Sequence, residues 1–183
     1  MGHRALVAYR RPDRRYDLRY SHWGGEGPSL GTAIDAATPL ADGAVDSSPV
    51  AESLAFDRIL TEFLDPCSYE LLYVVSPEEG YAVETYRVCW LELDDGRTDD
   101  RGAIVETTAS RDRALEAWFR ATKTTLADVV EMGCLSAAAA RSYLESRVCT
   151  DERGVGYTYL GRRTEPAPPR TSPGPKGEEE EHS

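Results

Sequence analysis

Alternating hydrophobic and polar positions open the chain and predict a β-hairpin over residues 3–23. The Pro-Asp pair between the two alternating runs favours a turn, so we expect Arg11 to face Tyr16 and cross-strand partners to sum to 27. In that register His3 and His22 lie on the core face as diagonal neighbours, within about 8 Å of each other.

Further along, the spacing of apolar residues predicts an order of elements that groups the strands into hairpins. The predicted helices span 29–37, 48–64 (or from Ser53), 110–132 and 136–148, and the predicted strands span 69–75, 81–93, 103–107 and 156–160. Strands joined as hairpins, instead of alternating singly with helices, favour an α+β fold. We therefore predict an antiparallel sheet, made of the N-terminal hairpin plus a three-stranded meander, packed on one face by three to four helices.

The length of 183 residues suits one domain, which we place at residues 1–163. Residues 164–183 are rich in proline and end in a run of four glutamates. Such a composition cannot bury a core, so we expect this tail to be disordered.

The charge balance indicates the salt concentration in which the protein works. There are 32 acidic and 21 basic residues, which gives a net charge of −11, and only Lys123 and Lys176 are lysines. An acidic, lysine-poor surface is typical of halophilic proteins, because molar salt shortens the Debye length to ~3 Å and screens repulsion between carboxylates. A GC-rich genome also favours arginine codons, so an acidic protein of ordinary habitat is the alternative.

The N-terminus enters a predicted strand at once, and no apolar run approaches the length that spans a membrane. We therefore expect a cytoplasmic protein without membrane association. The four cysteines lie far apart and form no Cys-x-x-Cys pair, so zinc ribbons and thioredoxin-like redox motifs are not indicated. We expect these cysteines to be small buried hydrophobic residues.

The sequence contains none of the common motifs for catalysis or cofactor binding that we considered. The sequence has no phosphate-binding loop, no dinucleotide-binding glycine motif and no Gly-x-Ser-x-Gly elbow, so no cofactor is predicted. His3 and His22 are the best polar pair, and a cysteine such as Cys67 or Cys89, or a carboxylate, could add a third zinc ligand. The alternative is that both histidines form hydrogen bonds at the rim of a core, because no fourth ligand is fixed by spacing.

Two surfaces are candidates for binding. The first is the end of the hairpin, where the candidate functional residues are His3, Arg4, Tyr20, His22 and Trp23. The second, residues 126–144, imitates a helix-turn-helix. An ordinary αα-hairpin is preferred there, because four alanines open the second helix and offer no hydrogen-bonding groups to bases. With a net charge of −11, nucleic acid is not an expected partner.

The N-terminal sequence also supports a resemblance. The runs Met-Gly-His-Arg-Ala-Leu-Val-Ala-Tyr, Arg-Pro-Asp and Tyr-Asp-Leu-Arg-Tyr-Ser-His-Trp-Gly, all within residues 1–24, resemble a haloarchaeal family of unknown function that also occurs in proviral regions. Later blocks at 65–67, 73–76 and 86–90 extend the resemblance to about Arg147. The start is also similar to small phage-borne proteins with His-Trp-Asp-Gly, where this chain has Gly24 in place of the Asp. The resemblance implies a halophilic source and no established activity.

These observations favour a halophilic cytoplasmic protein that acts as a small, non-enzymatic binding or accessory protein, with an origin in a mobile element as one possibility. Its partner is unknown, and another protein is the class that we favour. Two alternatives are a metal-dependent enzyme that uses His3 and His22 and a helix-turn-helix regulator that binds DNA.

Overall fold

The computed structural model describes residues 3–93 and 100–161, which form seven strands and four α-helices. The strands are β1 (Ala5–Arg10), β2 (Tyr16–Ser21), β3 (Ala51–Leu54), β4 (Leu71–Ser76), β5 (Ala82–Trp90), β6 (Arg101–Thr107) and β7 (Val155–Thr158). The helices are α1 (Leu30–Ala33), α2 (Phe56–Arg58, continued by a π-helical turn at Ile59–Phe63), α3 (Asp112–Glu131) and α4 (Ala137–Asp151). Short 3₁₀ turns lie at Ala41–Gly43 and Pro77–Glu79.

The strands form one mixed sheet that curls into a half-barrel, in the order β3-β2-β1-β4-β5-β6-β7. The predicted meander of β4, β5 and β6 is antiparallel, but β1 and β4 pair in parallel, from Ala5 opposite Leu71 to Tyr9 opposite Val75. The prediction of an antiparallel sheet is therefore wrong, although the α+β class holds. The reason is the connection from β3 to β4, which crosses the sheet through α2 and places β4 beside β1 in the same direction.

The register of the opening hairpin also differs from the prediction. Ala5 lies opposite Ser21 and Arg10 opposite Tyr16, so partners sum to 26 and not 27. The loop takes one more residue than expected because Arg14 adopts a left-handed conformation (φ 62°), and the Arg11 amide donates to the Arg15 carbonyl at 2.7 Å. A shift of one residue turns every β2 side chain to the other face of the sheet.

Both faces of the sheet are covered, so the prediction of helices on one face is wrong. The even-numbered residues of β1 and β4, such as Leu6 and Leu72, pack against α2 and its π-helical turn. The odd-numbered residues, such as Val7 and Tyr73, pack under α1 and the 3₁₀ turn that follows it. Farther along this second face, β5 and β6 pack against α3 and α4. Burial on both sides explains why β4 is an almost continuous apolar run.

Helices α3 and α4 form an αα-hairpin on β5 and β6, in contact through a cluster that includes Leu115, Leu126 and Leu144. The end of α3 agrees with the sequence, since Gly133 takes a left-handed conformation (φ 73°) just after the helix. Ser136 caps α4, with its hydroxyl accepting from the Ala139 amide at 3.2 Å.

The remaining expectations concern the cysteines, membrane-spanning helices and the C-terminal tail. Cys89 is buried as expected, but Cys67 and Cys134 are exposed, so the prediction of four buried cysteines is wrong. Within the described segments no helix combines the length and the apolar character that crossing a bilayer requires. The predicted disordered tail, residues 164–183, lies outside the described residues.

Candidate functional site: an aromatic row beside a charged groove

Four aromatic side chains form a continuous row at the end of the hairpin. Tyr69 packs edge-on against Tyr20, with ring centroids 6.4 Å apart, and Tyr20 lies 6.1 Å from the ring of His22. His22 in turn meets Trp23 edge to face at 4.7 Å. The phenol oxygen of Tyr20 and Nδ1 of His22 are 2.8 Å apart, a hydrogen-bonding distance. We call Tyr69, Tyr20, His22 and Trp23 the aromatic row.

The backbone after the row explains why Trp23 points outward. The Gly25 amide donates to the His3 carbonyl at 2.6 Å, which draws the chain tightly across the start of β1. A Cβ atom at Gly25 would lie 2.6 Å from the carbonyl oxygen of Arg4, so only glycine permits this approach. The buried Tyr73 hydroxyl then fixes the loop by donating to the carbonyls of Gly24 and Gly27, at 2.7 and 2.9 Å.

Trp23 and His22 form the exposed end of the row. The Trp23 side chain is 66% exposed, although its indole rests against His22. Tyr20 and Tyr69 are half-buried, because both also pack against the cluster beneath α2. The row is therefore anchored at one end in the core and open to solvent at the other.

The structure brings together most of the predicted functional residues. Tyr20 contacts His22 and His22 contacts Trp23, while the Arg4 carbonyl accepts at 2.9 Å from the amide that follows Tyr69 in the chain. Burial raises the pKa of the Tyr69 phenol, the neighbouring Tyr20 adds to the rise, and the charge of Arg4 opposes it. Sequence reasoning missed Tyr69, because only the parallel pairing of β1 with β4 places it beside the hairpin.

The metal hypothesis for His3 and His22 depended on the register that sums to 27, which is wrong. In the structure His3 is partly buried and holds Gly25 through its carbonyl, while His22 is exposed and contacts Tyr20 and Trp23. Cys67 is exposed, whereas Cys89 is buried under α3 and α4. Across residues 3–93 and 100–161, no group of three or more His, Cys, Asp or Glu side chains is placed to hold a metal ion.

A groove of about 460 Å³ continues from Tyr69 along the end of β5 and the side of α3. Its walls combine aromatic and charged side chains, namely Tyr69, Glu70, Arg87, Trp90, Glu116, Phe119, Arg120 and Lys123. Three of these are cations and two are carboxylates, although the whole chain carries a net charge of −11. We call this region the β5–α3 groove.

A buried ion pair between Arg87 and Asp112 holds the wall of the groove in place. Arg87 donates through Nε to Oδ1 of Asp112 at 2.9 Å and through Nη2 to Oδ2, and it also reaches Glu70 at 3.4 Å. Burial lowers the pKa of Arg87, but the hydrogen bond and the charges of Asp112, Glu116 and Glu70 outweigh burial and raise it. Arg87 therefore stays charged and ties β5 to the first turn of α3.

Lys123 is one of two lysines in the chain and lies in the same groove. Its ammonium donates to the Trp90 carbonyl at 2.9 Å and lies 4.5 Å from the centroid of the Trp90 ring. Phe119 is the second ring near this charge, at 6.0 Å. A compact ammonium suits these contacts, since it can donate to a carbonyl and stack on a ring at once.

Comparison with family models identifies the relationship of the chain. A model of a family of unknown function (DUF6735) matches residues 1–45 and residues 41–155, and so most of the chain. The chain belongs to this family. Searches of curated proteins and of solved structures gave no match. The family carries no stated activity, so a function has to be argued from the side chains described above.

Proposed function

We propose that this member of the family is a non-catalytic binding protein that recognises a protein partner through the aromatic row. The observation that carries the proposal is the exposed Trp23, whose ring contacts His22, which in turn contacts Tyr20. Tryptophan, tyrosine and arginine dominate the residues that contribute most to protein interfaces. The row, with Arg4 beside it, has this composition.

The rigidity of the row supports binding over a structural role. A side chain that is already held in place loses little conformational freedom when a partner covers it, so more of the contact energy appears as affinity. Trp23 is held by His22, and Tyr20 and Tyr69 are held by the core. Trp23 is 66% exposed, so most of its surface stays accessible to a partner.

The setting that we propose is the cytoplasm of a halophile, and we propose an origin in a mobile element. The support is the net charge of −11 and the presence of only two lysines, one of which makes specific contacts in the β5–α3 groove. A protein interface that works in molar salt gains little from exposed charge pairs, because they are screened. Stacked rings are a suitable means of recognition there.

The proposal is tested by reconstitution. Protein retained from a haloarchaeal extract at molar KCl is identified and purified, and its dissociation constant is measured with the parent chain and with two variants. Trp23→Ala should weaken binding about 30-fold or more, as expected for the loss of ~2 kcal/mol at an interface centre. Tyr143→Ala is the matched control, since Tyr143 is also an exposed aromatic residue (51%) but lies on α4.

The proposal fails if Trp23→Ala and Tyr143→Ala bind the purified partner equally well. It also fails if no purified protein binds the parent chain saturably. Both variants should melt within a few degrees of the parent, because each removes an exposed side chain.

A further inference from the structure

We propose that the occupant of the aromatic row in the free protein is the chain's own proline-rich segment, residues 166–175, bound within the same molecule. The inference rests on the proposed function, because it assigns an intramolecular ligand to the same row. It gives the row a regulatory state, in which a protein partner must displace the segment before it can bind.

The position where the described chain ends is the first argument. Strand β7 is an edge strand of the curled sheet, and Tyr159, just beyond it, packs against the same cluster as Tyr20 and Tyr69. Tyr159 is near enough to Tyr69 to contribute to the rise in the pKa of that phenol. Leu160 is anchored by its amide, which donates to the Thr61 carbonyl at 2.7 Å. The described chain therefore ends at Gly161, two residues after a ring that shares its packing cluster with Tyr20 and Tyr69.

The sequence beyond Gly161 is the second argument. Residues 166–175 contain prolines at positions 166, 168, 169, 173 and 175, and Pro166 and Pro169 form a Pro-x-x-Pro motif. Such sequences favour the polyproline II conformation, which has a rise of about 3.1 Å per residue and leaves every carbonyl free to accept a hydrogen bond. Proteins recognise it with grooves lined by aromatic rings.

The lengths agree with this assignment. The rings of the row follow one another at centroid distances of 6.4, 6.1 and 4.7 Å. Ten residues of polyproline II cover about 30 Å, which exceeds what the row requires. Four residues separate Gly161 from Pro166, and an extended linker of that length reaches about 13 Å. In the arrangement that we infer, the segment meets Tyr69 first and continues toward Trp23.

The chemistry of the row also matches a polyproline ligand. The phenol of Tyr69 and the indole of Trp23 each present an apolar ring with a hydrogen-bond donor at its edge, and proline-rich segments offer apolar rings and free carbonyls. Glu26, three residues after Trp23, is exposed, and its amide donates to the Trp23 carbonyl at 3.4 Å. An exposed carboxylate this close to Trp23 in the chain is of opposite charge to Arg170, which directly follows the Pro-x-x-Pro motif.

The competing occupant within the chain is the acidic run at residues 178–181, which could seek the cations of the β5–α3 groove. Arg87 and Arg120 in that groove are already paired with carboxylates of the fold. The row offers rings in contact with solvent, so we assign the proline-rich segment to the row.

Photocrosslinking of the full chain tests the inference. We replace Trp23→p-benzoylphenylalanine, which keeps an aromatic ring at the position, and irradiate the purified protein at molar KCl. The expected product has the mass of one chain and joins residue 23 to the segment 166–175, as identified by mass spectrometry of the digest. A second variant, Tyr69→p-benzoylphenylalanine, should crosslink to the same segment and protects the test against misfolding of the first.

Sequence changes in the segment provide the matched comparison. Pro166→Ala, Pro168→Ala and Pro169→Ala together should reduce the crosslink from residue 23 to the level found with Tyr143→p-benzoylphenylalanine, whose position lies on α4. Pro173→Ala and Pro175→Ala together, outside the Pro-x-x-Pro motif, should leave most of the crosslink in place. Equal yields from the two sets of substitutions would refute recognition of the motif.

Three other outcomes would also overturn the inference: crosslinked dimers, which would mean that the segment of a second copy occupies the row; crosslinks to residues 178–181; and no crosslink to the tail. Failure of the inference is separable from failure of the proposed function. If no tail crosslink forms but Trp23→Ala still weakens the purified partner's binding, only the intramolecular occupant is wrong.

Discussion

Asp112→Asn should destabilise the protein far more than its single lost charge would on the surface. Asp112 and Arg87 are each only 5% exposed, and two hydrogen bonds join them across the contact between β5 and α3. The substitution keeps the shape of the side chain and removes its charge, so Arg87 is left as a buried cation with one weaker partner. That partner is Glu70, at 3.4 Å and 41% exposed.

The magnitude follows from the geometry. Two unit charges about 4 Å apart attract by ~4 kcal/mol at an effective dielectric constant of ~20. Removing one member of a buried pair costs ~3–5 kcal/mol in measured cases, because the other charge stays desolvated. Since Glu70 partly compensates Arg87, we expect a loss of about 3 kcal/mol in the free energy of unfolding. Replacing both partners by apolar residues, Arg87→Met with Asp112→Leu, should cost less than about 1 kcal/mol.

The assay is urea unfolding at molar KCl, followed by circular dichroism. With a slope of about 2 kcal/mol per M, Asp112→Asn should lower the urea midpoint by about 1.5 M. Asp151→Asn is the control, because the Arg147–Asp151 pair on α4 is exposed (46% and 36%) and should contribute no more than about 0.5 kcal/mol. The buried effect should also change little between about 0.5 and 3 M KCl, since salt screens buried pairs weakly.

Two results would refute this reasoning. One is a midpoint for Asp112→Asn within error of that for Asp151→Asn, which would mean that the pair contributes no more than a surface contact. The other is a double apolar variant that is as unstable as the single one, which would show that packing, and not an uncompensated charge, determines the loss.

Three further predictions concern salt, backbone packing and a thiol. The melting temperature should rise steeply between roughly 0.1 and 2 M KCl as carboxylate repulsion is screened, and a flat response would exclude the halophilic interpretation. Gly25→Ala should lower the free energy of unfolding by about 2–3 kcal/mol, because the added Cβ would clash with backbone atoms of residues 3 and 4. Gly27→Ala should be nearly neutral, since an added Cβ has no atom within 4 Å there. Equal urea midpoints for the two variants would contradict this reasoning. At pH 8 Cys67 should react with a thiol reagent in the folded protein and Cys89 only after unfolding. Burial raises the pKa of Cys89 from 9.0 to about 12, so between these pH values the thiol stays protonated in the folded state and ionises in the unfolded state. The free energy of unfolding should therefore fall between pH 9 and 12, by up to ~1.4 kcal/mol per pH unit. Cys89→Val should lack this decrease.

Sequence reasoning succeeded where the signal is local. The apolar run of β4, the phase of α3 and the cap of α4 at Ser136 each depend on residues within a few positions of one another. The candidate residues at the end of the hairpin were also found locally, since Tyr20, His22 and Trp23 are near neighbours in the chain. Strand β3 was missed, because residues 51–54 become a strand only by pairing with the edge of β2.

The errors share a different physical origin. Arg14, in a left-handed conformation, lengthens the hairpin loop by one residue, so the side chains of β2 lie on the opposite face from the one predicted. The alternation of polar and apolar residues carries no information about the backbone angle of a loop arginine. The parallel pairing of β1 with β4 joins segments far apart in the chain, and it alone brings Tyr69 to Tyr20. The sequence by itself determined six of the seven strands and the two long helices, because periodicity and caps are local properties. Only the tertiary structure decided how the strands pair and which rings meet, because those depend on contacts between distant segments that compete with one another for the same surfaces.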